Sequence, residues 1–168
     1  ERSTSFTFSP SLLWLMVGQR RPETITRDFS KLSSRGIELV RATVTEIDTE
    51  GSRVLTEDAV IHYDYLVIAL GAEHDPALLP GAAEYTHHPY DLAAAIRLRD
   101  ALAGFGGGRV VVAIASLPYR CPAAPYETAM IIDGFLRRRG LRDRSEISVY
   151  TPEPLPMPVA GPYAGHSV

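Results

Sequence analysis

Leu117-Pro118-Tyr119-Arg120-Cys121-Pro122-Ala123-Ala124-Pro125-Tyr126-Glu127 contains the only cysteine of the chain, and its flanks decide the fold. Upstream, residues 109–115 (Arg-Val-Val-Val-Ala-Ile-Ala) form a β-branched apolar run of strand length. Downstream, residues 128–139 have a helical pattern, with Ala129, Ile132 and Phe135 on one face, three arginines at the end and Gly140 as a stop. Residues 146–150 form the next strand, which completes a βαβ unit under the right-handed crossover rule. The turn between the first strand and the helix therefore lies at the carboxyl edge of a sheet, where open α/β folds bind ligands.

Two features bear on the thiol. Pro125 suits the first helical turn, because its missing N–H costs nothing there, so Cys121 stands just upstream of a positive helix end. Arg120 is its neighbour, and both effects favour the thiolate. Free cysteine is also among the most buried residue types. A reactive thiol at a sheet rim and a small hydrophobe in a core are both open on these residues.

The same unit argues against a nicotinamide site. A dinucleotide fingerprint needs its glycines after the strand, where the backbone meets the pyrophosphate. Here the glycine run, residues 104–108, precedes the strand, and the following turn begins Ser116-Leu117-Pro118-Tyr119.

Outward from this unit, residues 92–103 predict a helix with Asp91 as N-cap. Residues 75–89, with Pro76, Pro80, Gly81 and Pro89, predict a connecting loop. Within it His87-His88 reads as a surface turn, since adjacent residues share no face and no metal-ligand partner lies near; no metal site is expected. Residues 65–70 (Tyr-Leu-Val-Ile-Ala-Leu) lack polar alternation and predict a strand buried on both faces, ending at Gly71-Ala72, which is either a ligand approach or a simple turn. Residues 37–40, 42–48, 53–55 and 60–62 suit an antiparallel meander. Residues 22–35 predict a helix opened by Pro22 and capped by Gly36, and residues 12–17 a short apolar helix after Ser9-Pro10. Residues 151–162 are a proline-rich surface segment.

The 168 residues are 45% hydrophobic and 22% charged, with a net charge of −3. This describes a soluble globular chain without the basic excess that nucleic acid requires. No apolar run approaches the roughly 20 residues of a membrane span. The chain opens on Glu1-Arg2-Ser3 and ends on Gly165-His166-Ser167-Val168, and both ends are expected to be cuts through a longer protein.

Tyr63-Asp64-Tyr65-Leu66-Val67-Ile68-Ala69-Leu70-Gly71-Ala72 resembles the second flavin motif of two-dinucleotide-domain flavoprotein reductases. The cysteine–proline stretch, with Tyr150-Thr151-Pro152-Glu153-Pro154-Leu155-Pro156, resembles the narrower sulfide:quinone oxidoreductase and flavocytochrome c sulfide dehydrogenase branch of the FAD-dependent pyridine nucleotide-disulfide oxidoreductase superfamily. Where many members carry a third cysteine in the connector, this chain has Tyr85-Thr86-His87-His88-Pro89.

The resemblance implies an α/β class, a partial FAD/NAD(P)-binding Rossmann-like two-domain fold with a β-meander first and a βαβ unit second. Residues 1–105 would be the remainder of the FAD domain with meander and connector. Residues 106–168 would be part of the second domain. Glu1 would accept hydrogen bonds from the adenosine ribose, and Thr43 and Val44 would offer backbone to the adenine. Ala69, Gly71, Ala72, Pro118 and Tyr119 would complete the cofactor contacts. Cys121 would be a redox cysteine, with its partner beyond Val168, and Glu127 would move protons or cap its helix. The implied reaction is attack of HS⁻ on a cysteine disulfide or polysulfide, leaving a persulfide, with two electrons passing through FAD to quinone. Peripheral membrane docking would come through other segments, a homo-oligomer is left open, and this fragment is expected to be soluble and inactive alone. A type II NADH:quinone oxidoreductase and a non-catalytic scaffold are the alternatives.

Overall fold

In the computed structural model, which describes residues 1–158 and residue 161, the cysteine turn joins a strand to a helix as expected. Strand β6 (Gly108–Ala113) pairs in parallel with β7 (Ser145–Tyr150), in register from Gly108 opposite Ser145 to Ala113 opposite Tyr150. Helix α5 (Ala124–Arg138) crosses between them and ends at Gly140, whose φ of 65° is the left-handed stop. Gly107, just ahead of β6, has a packing role. At Gly107 (φ 120°) a Cβ would lie 3.1 Å from the Arg144 carbonyl oxygen, so a side chain there would push the entry to β6 away from the turn before β7.

The chain forms two compact units, Glu1–Thr7 with Thr26–Gly71, and Phe8–Ile25 with the residues from Ala72 onward. In the second unit, α1 (Leu12–Leu15) and α4 (Leu92–Gly104) pack with α5. Met16, Val17, Leu102, Ile132, Leu136 and Leu141 form one core cluster, and Leu12, Leu15, Ile25 and Ala95 another. Leu136 is fully buried, and such burial contributes roughly 1.5–3 kcal/mol. The Asp91 carboxylate accepts a 2.7 Å bond from the Ala94 N–H, the N-cap anticipated for α4. At the other end, Arg139 donates to the Leu102 and Phe105 carbonyls at 2.8 and 3.2 Å. Arg139, the last of the three arginines, therefore closes the carboxyl end of α4.

In the first unit, β1 (Ser5–Thr7) pairs antiparallel with β2 (Thr26–Asp28). The strands β3 (Val44–Asp48), β4 (Arg53–Thr56) and β5 (Val60–His62) make the expected antiparallel meander. Its first turn is held by Asp48, which accepts from the Gly51 N–H at 2.8 Å and pairs with Arg53. Those contacts keep the Asp48 carboxyl below its ordinary pKa, with the Gly51 N–H the larger cause.

Four expectations need correction. The helix over residues 22–35 is interrupted: α2 (Pro22–Ile25) gives way to β2 and then to a 3-10 helix, Phe29–Arg35. Pairing with β1 draws the β-branched Thr26 into a strand, and the extended Asp28 caps the next turn through the Ser30 N–H at 2.6 Å. Gly36 caps that turn at φ 74°. Residues 37–40 form no strand. Residues 65–70 form none either, and Tyr65, Val67 and Leu70 are 95%, 87% and 83% exposed. A two-faced buried strand requires ladder partners and covering helices, and among the described residues no strand pairs with this run. The connector carries a 3-10 turn (Pro76–Leu78) and the one-turn helix α3 (Ala82–Tyr85), so it is more structured than a loop. Of the proline-rich tail, residues 152–157 are bends; residues 159, 160 and 162 lie outside the described set.

Candidate functional site

The candidate site is the turn from the end of β6 to the start of α5. Cys121 is exposed and unpaired, and it has φ 59°, a left-handed conformation rare outside glycine. It is therefore not a core residue. Its carbonyl accepts from the Ala124 N–H at 3.0 Å, so the residue closes the turn that opens α5. Pro125 occupies the first turn of α5, and Glu127 stands exposed there, where its charge complements the positive helix end.

Both flanks of Cys121 are tied down. On one side, the Tyr119 hydroxyl donates to the Pro122 carbonyl at 3.4 Å. Burial, then the nearby Glu153 carboxylate, raises the Tyr119 pKa and keeps this hydroxyl protonated. On the other side, the Arg120 guanidinium donates to the carbonyls of Ala72 (2.9 Å) and Tyr90 (3.2 Å) and lies 4.8 Å from the centre of the Tyr90 ring. The Tyr90 hydroxyl donates back to the Arg120 carbonyl at 3.4 Å.

Beside this pair, the rings of His74 and His88 are tilted by 35° with centres 4.1 Å apart, and each stacks with Tyr90. His88 is thus half-buried and not a surface turn, whereas His87 is exposed. Burial, followed by the adjacent His74, holds His88 below the usual histidine pKa. Among the described residues no three His, Cys, Asp or Glu side chains are grouped to hold a metal.

The two narrow sequence stretches prove to be one structural feature. The Tyr126 hydroxyl donates to Glu153 Oε2 at 3.0 Å and accepts from the Met157 N–H at 3.3 Å, which pins residues 150–157 to the first turn of α5. Nothing in the spacing of Tyr126 and Glu153 announces this pair.

The second unit has a cleft of about 760 Å³ between the connector, β6 and α5, lined in part by Ala72, Tyr90, Pro118, Tyr119 and Arg120. Ala72, Pro118 and Tyr119, three of the expected cofactor contacts, therefore meet at one surface. Glu1, Thr43, Val44, Ala69 and Gly71 belong to the first unit. There the Glu1 carboxylate accepts from the Ser3 N–H at 2.8 Å, which keeps it below its ordinary pKa. Val44 opens β3, Thr43 is half-buried, and Ala69 is exposed. Gly71 has φ 76° and nothing within 4 Å of where a Cβ would project, so its outer face is open. These residues fit a dinucleotide: an ionised carboxylate, an open left-handed glycine and accessible backbone. Sequence reasoning missed Tyr90, His74 and His88. Their stack is formed across a connector whose local pattern reads only as turns.

The α/β architecture and the capped cysteine turn match segments of known oxidoreductases. Residues 96–154 match the model of the central region of the flavocytochrome c sulfide dehydrogenase flavoprotein chain. The chain is 31% identical over 169 aligned residues to the alternative NAD(P)H-ubiquinone oxidoreductase C1 of Arabidopsis thaliana, an alignment with 88% of this chain and 32% of that protein. It is 26% identical to the mitochondrial sulfide:quinone oxidoreductase of Mus musculus, with 80% of this chain and 32% of that protein covered. The sulfide:quinone oxidoreductase structure from Aquifex aeolicus superimposes with a TM-score of 0.71 at 25% identity, covering 92% of this chain and 36% of that one. The chain spans about a third of the length of the curated relatives it matches. The family-model match, the sulfide:quinone oxidoreductase relatives and the structural likeness support the sulfide:quinone oxidoreductase and flavocytochrome c sulfide dehydrogenase branch, a group that implies a flavin cofactor.

Proposed function

We propose that this chain is the middle part of an FAD-dependent oxidoreductase that takes electrons from sulfide, or a related thiol or persulfide, and delivers them to quinone. One observation carries the reading. The single cysteine is exposed, left-handed and anchored on both sides at the carboxyl end of β6. Such placement costs stability and suits presentation of a thiol to a ligand.

In this reading residues 1–105 complete the FAD domain and residues 106–168 begin the second domain. Glu1, Thr43, Val44, Ala69, Gly71, Ala72, Pro118 and Tyr119 hold the cofactor. The bound flavin supplies a two-electron acceptor. Cys121 carries sulfur, exchanging with a second cysteine elsewhere in the parent. HS⁻ attacks the disulfide between them, one sulfur becomes a persulfide and the other leaves as a thiolate, so atoms and charge balance. Glu127, exposed in the first turn of α5, exchanges the proton with solvent. Docking on the membrane surface and contact with quinone are assigned to other parts of the parent; no helix among the described residues is long and apolar enough to cross a bilayer.

The similarity to an alternative NAD(P)H-ubiquinone oxidoreductase supports a second reading, in which NADH is the donor. Two local features oppose it. Pro125 removes an N–H from the first turn of α5, and Glu127 puts a negative charge where a pyrophosphate would need donors.

The test is a spectrum of the flavin-loaded, full-length parent. Sulfide is expected to bleach the flavin, and Cys121→Ser to slow bleaching at least about a hundredfold with flavin content unchanged. A flavin bleached by NADH and indifferent to sulfide would transfer the assignment to the second reading.

A further inference from the structure

We propose that Arg120 and Tyr90 are positioning residues that lock the peptide ahead of Cys121 and so set where its sulfur stands during the reaction. The proposal rests on the sulfur-transfer reading above and adds to it a device built from the connector.

The argument begins with the backbone. A non-glycine residue at φ 59° lies above relaxed geometry and persists only when its surroundings over-determine it. On the α5 side the restraint is local, through Ala124 N–H to the Cys121 carbonyl and Tyr119 to Pro122. On the other side it is long-range and reciprocal. The Arg120 side chain holds the backbone carbonyl of Tyr90, while the Tyr90 side chain holds the backbone carbonyl of Arg120. The second arm of the guanidinium reaches the Ala72 carbonyl, which closes the flavin-like motif in sequence.

A planar fork is needed for this geometry. Two carbonyls are engaged by two different nitrogens while the same plane faces the Tyr90 ring. A lysine ammonium supplies the charge but not the fork. The ring beneath is itself fixed by His74 and His88, so the guanidinium rests on a stacked platform. Position, and not charge alone, is therefore what this arginine provides.

The test uses the flavin-loaded, full-length parent carrying Arg120→Gln, Arg120→Lys or Tyr90→Phe. Three quantities are read: the limiting rate of flavin reduction by sulfide, the pH midpoint of Cys121 alkylation by iodoacetamide, and hydrogen exchange at the Ala124 amide. Both Arg120 variants are expected to lose about tenfold in limiting rate, a modest cost for a misplaced reacting group. Tyr90→Phe, which keeps the ring and removes one hydrogen bond, should lose about threefold. Flavin content should match the wild type in all three variants and the alkylation midpoint should match it in Arg120→Lys and Tyr90→Phe, and the Ala124 amide should exchange several-fold faster in both Arg120 variants. Wild-type rates in Arg120→Lys, joined to an upward-shifted midpoint in Arg120→Gln, would show that charge suffices and overturn the proposal. Unchanged exchange at Ala124 would overturn it too. A wild-type parent whose flavin ignores sulfide would instead sink the sulfur-transfer reading, and the exchange measurement would still decide whether the clamp exists.

Discussion

His88 is the side chain in the connector whose protonation is most directly set by its neighbours. It faces His74, Asp91, Arg97 and Arg120; burial and the three basic groups lower its pKa, and Asp91, 3.8 Å away, partly opposes them. The folded chain consequently binds fewer protons at this site than the unfolded chain as pH falls through the ordinary histidine value of 6.5. Stability from this term is complete above that value, declines as the pH drops below it, and levels off once the folded form is protonated as well. Between about pH 7.5 and 5.5 the melting temperature should fall further in the wild type than in His88→Gln; equal falls would refute the linkage. Residue-level legibility was uneven for a physical reason. Proline, arginine and the strand edge around Cys121 are local and place it in the turn before α5, but its exposure is read only from the structure. The burial of His88 comes from His74, fourteen positions away, and from Tyr90 folding over both.

At the scale of elements, local chemistry succeeded where capping and periodicity act within one segment. Asp91 starts α4 and Gly140 stops α5 because each satisfies or relieves backbone within a few residues of itself. Asp91→Ala should cost about 1 kcal/mol and Asp91→Asn only a small part of that, as read from urea midpoints. Equal losses in the two variants would mean that the contact with His88, and not the cap, is what Asp91 contributes. On α5, Asp133 accepts from Arg137 Nε at 2.6 Å and also from Arg142, and these bonds, Arg137 first, hold its carboxyl below the usual value. That contribution is present above the ordinary aspartate range and is lost as the pH falls through the depressed value. The helix expected over residues 22–35 failed at Thr26. Its apolar spacing at Ile25, Phe29 and Leu32 is helical, but the partner strand β1 lies some twenty residues upstream, and a pairing across that distance leaves no periodic trace.

At the scale of the whole molecule the two units differ in how they are held together. Among the described residues, every buried hydrophobic side chain belongs to the second unit. The first unit rests on strand ladders and polar turns, with Val44 and Val60 exposed. Leu136→Ala should therefore cost about 2–5 kcal/mol, and Val60→Ala less than about 0.5 kcal/mol. Amide exchange should run faster along β3, β4 and β5 than along β6 and α5. A uniform exchange profile would contradict this division. The amino-acid sequence by itself determined the βαβ unit, the meander, the cap of α4 and the place of Cys121 in the turn before α5, because alternation, capping and proline or glycine chemistry act over a few residues. Tertiary structure alone decided three things: that Arg120 and Tyr90 grip one another's backbone, that Tyr126 joins the cysteine turn to Glu153, and that residues 65–70 find no strand partner among the described residues. Each depends on which distant groups arrive to share a hydrogen bond or cover an apolar face, and local pattern does not encode that.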